Sequence, residues 1–510
     1  VAELLPSATT VVLDEAHQLP DIGAQFLGSN MGTGQALELA RDLLACGLQL
    51  ARGLADWQGL SSRLQKAARD QRLVAPAGAH RFDWAQTQAL EGWVEGLANW
   101  QAALANALVA LDPFEALAPE FTRLIERCRE QDALLAAWQR DALAQHPAGG
   151  GQPLATDAEG ALSVAPAMAL PGAPSSELPN GLPAAQESVH WLEVGSHHLR
   201  LLATPLGVGP AFSALLAQRP QAWVLVSATL TLDGSFRYAR ARLGLNDGSP
   251  ALAAVEGGVE PRLRELRVAS PFDYANQTRL LVPRAGFRPA DAEHSQRVAE
   301  LAAQLIAVNP GGSFVLTTTL RAIGRIASRL RELLPPECMV LEQASESKQV
   351  LLQRFAANSR AVLVGSHSFW EGVDFPGEQL TLVVIDKLPF APPDDPMVAA
   401  RIKRLEAAGR NGFMDYSLPQ AALALQQGAG RLIRSERDWG VLAVCDQRLA
   451  LTAWGRRLLA SLQPFARVET VEAACQFLQA HARLESCAVP ASAPQEGPVT
   501  TLSDDPAFGD

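Results

Sequence analysis

Val11-Val-Leu-Asp-Glu-Ala-His17 opens as an apolar, β-branched run and stops on two adjacent acids. Residues 8–13 therefore read as a buried parallel strand that delivers Asp14 and Glu15 at its C-terminal edge. That edge is where open α/β sheets bind ligands, so this short stretch indicates both the fold class and where to look for chemistry. The pattern returns at Trp223-Val-Leu-Val226, a strand-like run that ends on Ser227-Ala-Thr229. From about residue 270, strand candidates at 313–316, 339–341, 361–364, 380–385 and 440–444 alternate with helix-like spans such as 321–334. Such alternation predicts a second parallel sheet covered on both faces. The chain is expected to be α/β, with two lobes.

Between the two parts of the first lobe the texture changes. Leu37, Leu39, Ala40, Leu43 and Leu44, and later Leu97, Trp100, Leu104, Leu108 and Leu111, recur at helical spacing. A mainly helical insertion is predicted over residues 35–188, with 146–188, rich in Pro, Gly, Ala and Ser, as a linker. Trp57, Trp84, Trp93, Trp100 and Trp138 fall inside it. Helix-packing core is the ordinary reading of those rings, and base-stacking platforms the functional one. Residues 1–34 and 189–269 then make the first lobe and 270–487 the second. Residues 488–510, with repeated Pro and the Asp504-Asp505 pair, are expected to be a disordered tail.

A chain of 510 residues exceeds one ordinary core. At 48% hydrophobic and 19% charged it has a globular composition, and no apolar run approaches the roughly 18 residues of a membrane span. No secretory leader opens it, and Val1 in place of an initiator methionine suggests an N-terminal truncation. The six cysteines have no C-x-x-C pair and read as buried hydrophobes in a reducing cytoplasm. The formal charge of −11 argues against a chain that coats nucleic acid over its whole surface. A local basic stretch exists nonetheless. Residues 401–437 hold seven basic side chains (Arg401, Lys403, Arg404, Arg410, Arg431, Arg434, Arg437) against three acids, which reads as a solvated helix face or a strand-binding patch.

Asp14 at a strand end is placed to hold Mg²⁺ through its water shell, and Glu15 to orient and deprotonate an attacking water. A charged strand end at a surface turn is the plain alternative. Ser227 and Thr229 can bond Asp14 or His17 and so report on a bound nucleotide, or can simply cap a helix. Gln427-Gly-Ala-Gly-Arg431-Leu-Ile-Arg434 places two arginines three residues apart on what reads as one helical face, suited to γ-phosphate charge. Gln427 would hydrogen-bond near the phosphate or the water, and Gly430 lets the turn come close. In Val364-Gly-Ser-His-Ser-Phe-Trp-Glu-Gly-Val-Asp-Phe-Pro-Gly377, Gly372 allows close backbone approach, Glu371 and Asp374 offer acceptors, and Trp370 could press on a base.

These stretches, in this order, resemble the motifs of a superfamily 2 nucleic-acid helicase, most closely the XPD/DinG branch that includes the bacterial YoaA type. Ser227-Ala-Thr-Leu230 resembles motif III. The 364–377 stretch resembles motif V, and Asp386-Lys-Leu-Pro-Phe-Ala-Pro392 continues the match. Thr317, Thr318 and Thr319 resemble motif IV, where hydroxyls and amides at a helix N-terminus hold a strand phosphate; Ser366 and Trp370 join that strand-binding set. The resemblance implies two RecA-like motor lobes, the first incomplete, with an arch-like insertion over the strand. It also implies ATP and Mg²⁺ as cofactors, single-stranded DNA and DNA junctions as partners, 5′ to 3′ translocation, and a role in repair. His17 becomes a coupling residue, and Arg431 and Arg434 become arginine fingers. The family's Gly-x-x-x-x-Gly-Lys-Ser/Thr loop and the four cysteines of its [4Fe-4S] cluster precede the acidic motif, and neither occurs in this chain. A fragment that hydrolyses ATP poorly by itself is therefore expected. The alternatives are a non-catalytic nucleic-acid-binding module and an RNA-directed helicase of the same superfamily.

Overall fold

Two strands, β1 (Thr10–Leu13) and β6 (Ala222–Leu225), pair in parallel with Leu13 opposite Leu225, and they bring residues 14–17 and 227–229 to one edge. The computed structural model describes residues 8–78, 80–145, 187–218, 221–252, 263–343, 345–366, 369, 375 and 377–487. The chain divides into two units, residues 1–269 with 390–423, and residues 270–389 with 424–510. β1 is parallel as the sequence suggested but is not buried. Val12 is 61% exposed and Val224 43%, because among the described residues this sheet has only these two strands. A parallel pair becomes a core only when further strands and helices cover it.

The insertion contains a second, antiparallel sheet. β2 (Ser29–Gly32), β3 (His80–Asp83), β4 (Ser188–Val194) and β5 (Leu199–Pro205) lie in the order β2-β5-β4-β3. The strand expected near 189–194 is present, but it does not return to the first parallel sheet. It pairs with β3 and β5 instead, so the insertion's framework extends on both sides of 35–188. The helices Thr33–Leu50, Trp57–Val74, Trp93–Leu111 and Pro119–Gln145 share a core with this sheet, joining Leu39, Leu43, Leu64 and Leu104 to Met31, Leu192 and Leu201. All five insertion tryptophans are buried in that unit. Trp84 and Trp138 meet edge to face at 5.0 Å, and Trp57 donates its ring N–H to the Ala51 carbonyl at 2.8 Å. These rings are packing core and offer no faces to bases.

The second unit is built on seven strands: β7 (Thr278–Leu281), β8 (Ser313–Leu316), β9 (Val340–Glu342), β10 (Val362–Gly365), β11 (Leu382–Ile385), β12 (Gly440–Val444) and β13 (Ala466–Val468). All pairs are parallel, in the order β13-β7-β12-β11-β8-β10-β9. The central strands are buried on both faces, which is why they read as unbroken apolar runs rather than alternating ones. Val315, Val364, Val384 and Ala443 pack one face against the helices His294–Val308, Leu320–Leu333 and Val471–Cys487. Phe314 meets Phe355 and Phe375 on the other. From β8 the chain moves toward β9 and β10, whereas from β11 it moves toward β12. The carboxyl ends of β8 and β11 thus flank the topological switch point, the usual ligand crevice of such sheets. The tail at 488–510 and the linker up to residue 186 lie outside the described residues.

Candidate functional site

In the first unit, the acids after β1 and the hydroxyls after β6 meet. Parallel pairing in register fixes this, since Ala16 N–H donates to the Val226 carbonyl at 2.9 Å and Val226 N–H to Leu13 at 2.9 Å. Ser227 Oγ lies 2.8 Å from His17 Nδ1 and donates to Glu15 Oε2 at 3.2 Å. It also accepts from Thr229 N–H at 3.1 Å, with Thr229 Oγ1 at 3.3 Å. One hydroxyl therefore touches Glu15, His17 and Thr229. Glu15 has φ 48°, in the left-handed region that a non-glycine residue enters at a cost of roughly 1–3 kcal/mol. The turn is narrow there, because Asp14 Oδ1 accepts the Glu15 N–H at 2.8 Å while a 3₁₀ turn starts at Ala16. The Glu15 carboxylate is 59% exposed and available to solvent chemistry, whereas His17 is held inside at 11%. Beside them is a small cleft lined by Ala16, His17, Thr229, Leu230, Tyr238 and Arg242.

Asp14 and Glu15 offer the hard oxygens that Mg²⁺ accepts. Among the described residues no group of three or more His, Cys, Asp or Glu is gathered around a point that could hold a metal ion. A cation on Asp14 and Glu15 would therefore depend on water and nucleotide phosphates for its remaining ligands. Among the described residues no three thiols are gathered as an iron–sulfur cluster would require. Cys128 and Cys445 are buried in separate cores, and burial pushes the Cys128 thiol up to about 12.

The helix Leu418–Ala429 ends before the arginines, which lie in the second unit, so Arg431 and Arg434 do not share a helical face. Asp438 is the reason. Its buried carboxylate accepts Arg434 N–H at 2.7 Å and Ser435 N–H at 2.9 Å on one oxygen. The other oxygen accepts Ser435 Oγ at 2.6 Å and Gly377 N–H at 3.2 Å. A side chain that collects successive amides competes directly with helical hydrogen bonds and wins at this point. Burial draws the half-buried Arg434 guanidinium below its usual range, with Asp438 opposing. At Gly430 an added Cβ would lie 3.2 Å from the Gln426 carbonyl, which makes the small residue useful without making it indispensable.

Thr317, Thr318 and Thr319 follow β8, but they are not three equivalent hydroxyls. Thr317 is fully buried and donates to the Thr319 carbonyl at 3.1 Å. Thr319 is exposed and caps the helix Leu320–Leu333 through Ala322 N–H at 3.4 Å. Thr318 lies between them, its N–H donated to Asp386 Oδ1 at 3.0 Å. Ser366 follows β10 and is half-buried, its N–H held by Gln343 Oε1 at 2.6 Å. Trp370, Glu371, Gly372 and Asp374 lie outside the described residues.

The basic stretch 401–437 is divided between the two units. Arg401 turns inward to Tyr416 Oη at 2.9 Å and Asp21 at 3.6 Å, Arg404 pairs with Glu187 at 3.6 Å, and Arg410 with Asp415 at 3.3 Å. These three belong to the first unit and Arg431, Arg434 and Arg437 to the second. Sequence reasoning missed Asp386, Asp438 and Asp446 as organisers. Asp446 is fully buried, accepts Leu388 N–H at 3.1 Å and holds Arg448 at 2.7 Å. Asp386 and Asp446 each stand at an apolar strand's end, the signal that picked out Asp14.

Residues 302–465 match the helicase C-terminal domain family. The chain is 32% identical over 477 residues to the ATP-dependent DNA helicase YoaA of Escherichia coli K12, covering 93% of this chain. It is 37% identical over 286 residues to the ATP-dependent helicase DinG of Mycobacterium tuberculosis H37Rv, covering 55% of this chain and 41% of that one. A solved XPD helicase superposes with a TM-score of 0.51 at 13% identity, over 90% of this chain and 68% of that one, a likeness of fold. This chain spans 66% of the length of the YoaA relatives it matches.

Proposed function

Because the chain belongs to the YoaA/DinG helicases and carries their helicase C-terminal domain, we propose that it is the larger part of an ATP-dependent motor. That motor moves 5′ to 3′ on single-stranded DNA, opens duplexes and junctions, and serves repair in the cytoplasm. What supports the reading most is the Ser227 hydroxyl within reach of both Glu15 and His17. Such a contact lets the group that activates water sense the loop after β6. In this scheme Asp14 carries hydrated Mg²⁺, Glu15 takes the proton of the attacking water, and His17, Ser227 and Thr229 relay the state of the site. Gln427, Arg431 and Arg434 supply polar contact and positive charge as negative charge shifts toward the leaving group. The 317–319 loop and Ser366 hold strand phosphates, and Trp370, Gly372 and Asp374 complete the strand and ribose contacts. Bound ATP supplies the phosphoryl group.

The phosphate cradle and the [4Fe-4S] ligands are assigned to sequence outside these 510 residues. The chain alone should then show little Glu15-dependent hydrolysis. The test is DNA-stimulated ATP hydrolysis by this chain and by the chain joined to its upstream coding sequence, each beside Glu15→Gln. Activity confined to the longer protein and lost in the variant is expected. A longer protein without DNA-stimulated hydrolysis would point to a non-catalytic binding module, and stronger stimulation by RNA than by DNA would point to an RNA-directed helicase.

A further inference from the structure

The carboxylate of Asp386 is fully buried at the switch point of the second sheet and has one oxygen to spare. Three strand ends converge on it and its neighbour. Asp386 N–H donates to Leu316 at the end of β8 at 3.0 Å, and Oδ1 accepts Thr318 N–H at 3.0 Å. Its carbonyl is met by His294 Nε2 at 2.8 Å. Two residues on, Leu388 N–H is taken by Asp446 after β12. Oδ2 of Asp386, by contrast, is buried without a hydrogen-bond partner. Such an oxygen is costly to leave bare when charged.

We propose that Asp386 positions the 317–319 loop for a nucleic-acid phosphate and takes up one proton from solvent when that phosphate arrives. The inference rests on the strand-binding reading given above. A phosphodiester at the exposed Thr319 end of the loop brings a negative charge close behind which a second one, Asp386, is buried. Two like charges, one of them buried, favour neutralising the buried one. Oδ1 keeps the Thr318 amide, and Oδ2 is the oxygen with nothing to lose by accepting the proton. Burial already pushes this carboxyl up to about 7, with Lys387 and the Thr318 bonds pulling the other way. The charged and titratable groups around it are His294 and Asp291 from one side, Lys387 beside it, and Cys445, Asp446 and the paired Arg448 at the end of β12. His294 is itself held below its ordinary range by burial, so it stays neutral and does not supply the countercharge.

The experiment is calorimetric titration of the full chain with an oligodeoxythymidine near pH 8, about one unit above Asp386, in two buffers of unlike ionisation enthalpy. Up to about one proton taken up per oligonucleotide is expected, with affinity weakening by at most about tenfold per pH unit. Asp386→Asn should bind with no such uptake from this group. Equal uptake in the variant, or none in the parent, overturns the proposal. A parent that binds no oligonucleotide at any pH overturns both this and the strand-binding reading. If Asp386→Asn does not fold, the parent's infrared spectrum decides. A protonated-carboxyl band that grows on adding oligonucleotide supports the assignment, and an unchanged one refutes it.

Discussion

Asp438→Ala should unfasten the arginine turn. The carboxylate accepts four hydrogen bonds, from Arg434 N–H, Ser435 N–H, Ser435 Oγ and Gly377 N–H, while being 3% exposed. Hydrogen bonds to a charged acceptor contribute about 1.5–3 kcal/mol each. The two turn amides can partly recover with water once the side chain is gone, so the four do not add in full. A net loss of about 3–5 kcal/mol in the second unit is reasonable. For a unit of this size that is a fall of roughly 10 °C in its thermal transition. Asp438→Asn keeps one acceptor oxygen and loses the charge, so it should fall by about half as much. Differential scanning calorimetry gives the shift, and hydrogen exchange at residues 430–439 gives its location. In the longer protein, the arginine-dependent part of ATP hydrolysis should fall with it. A transition for Asp438→Ala within about 2 °C of the parent, with exchange at 430–439 unchanged, would refute the claim that this carboxylate shapes the turn.

Three further outcomes are expected. Ser227→Ala leaves stability within about 1 kcal/mol, since its bonds are only part-buried, but in the longer protein it should reduce the stimulation of ATP hydrolysis by DNA more than the basal rate; steady-state assays with and without DNA check this. Asp386 makes the second unit lose stability as pH rises from about 4 to about 7. Its raised value means that the folded state holds a proton the unfolded chain has already released, so the native advantage shrinks through that window; denaturation at several pH values should show a flatter profile for Asp386→Asn. Gly47→Ala would set a Cβ 2.2 Å from the Trp57 ring, in a core where Trp57 is 2% exposed. Overpacking of this kind costs about 1–3 kcal/mol, to be seen as an earlier urea transition in the helical circular dichroism.

Much of the second unit is legible from the sequence because strands buried on both faces leave an unbroken apolar signature. The expected runs at 313–316 and 440–444 are β8 and β12 as observed, and the others differ by one or two residues at their ends. The antiparallel strand Ser188–Val194 was readable as a strand but its partners were not: β3 lies more than a hundred positions away, and β5, which follows it as a hairpin, was not read as a strand. The arginine stretch misled for a local reason. Its i, i+3 spacing fits a helix, and nothing in that spacing reveals that Asp438 will gather the amides of Arg434 and Ser435.

The sequence by itself determined which residues stand at strand ends. An apolar run that stops on Asp, Ser or Thr marks the carboxyl end of a strand, and Asp14, Ser227 and Thr317 were readable in that way. Only the tertiary structure decided which of those ends meet. Register between β1 and β6 places Ser227 against Glu15 and His17 across more than two hundred residues of chain. The order β12-β11-β8 binds Asp386 and Asp446 into one buried lacework. The physical reason is that strand composition records burial, a local quantity, whereas strand order and register are settled by packing among segments far apart in the chain.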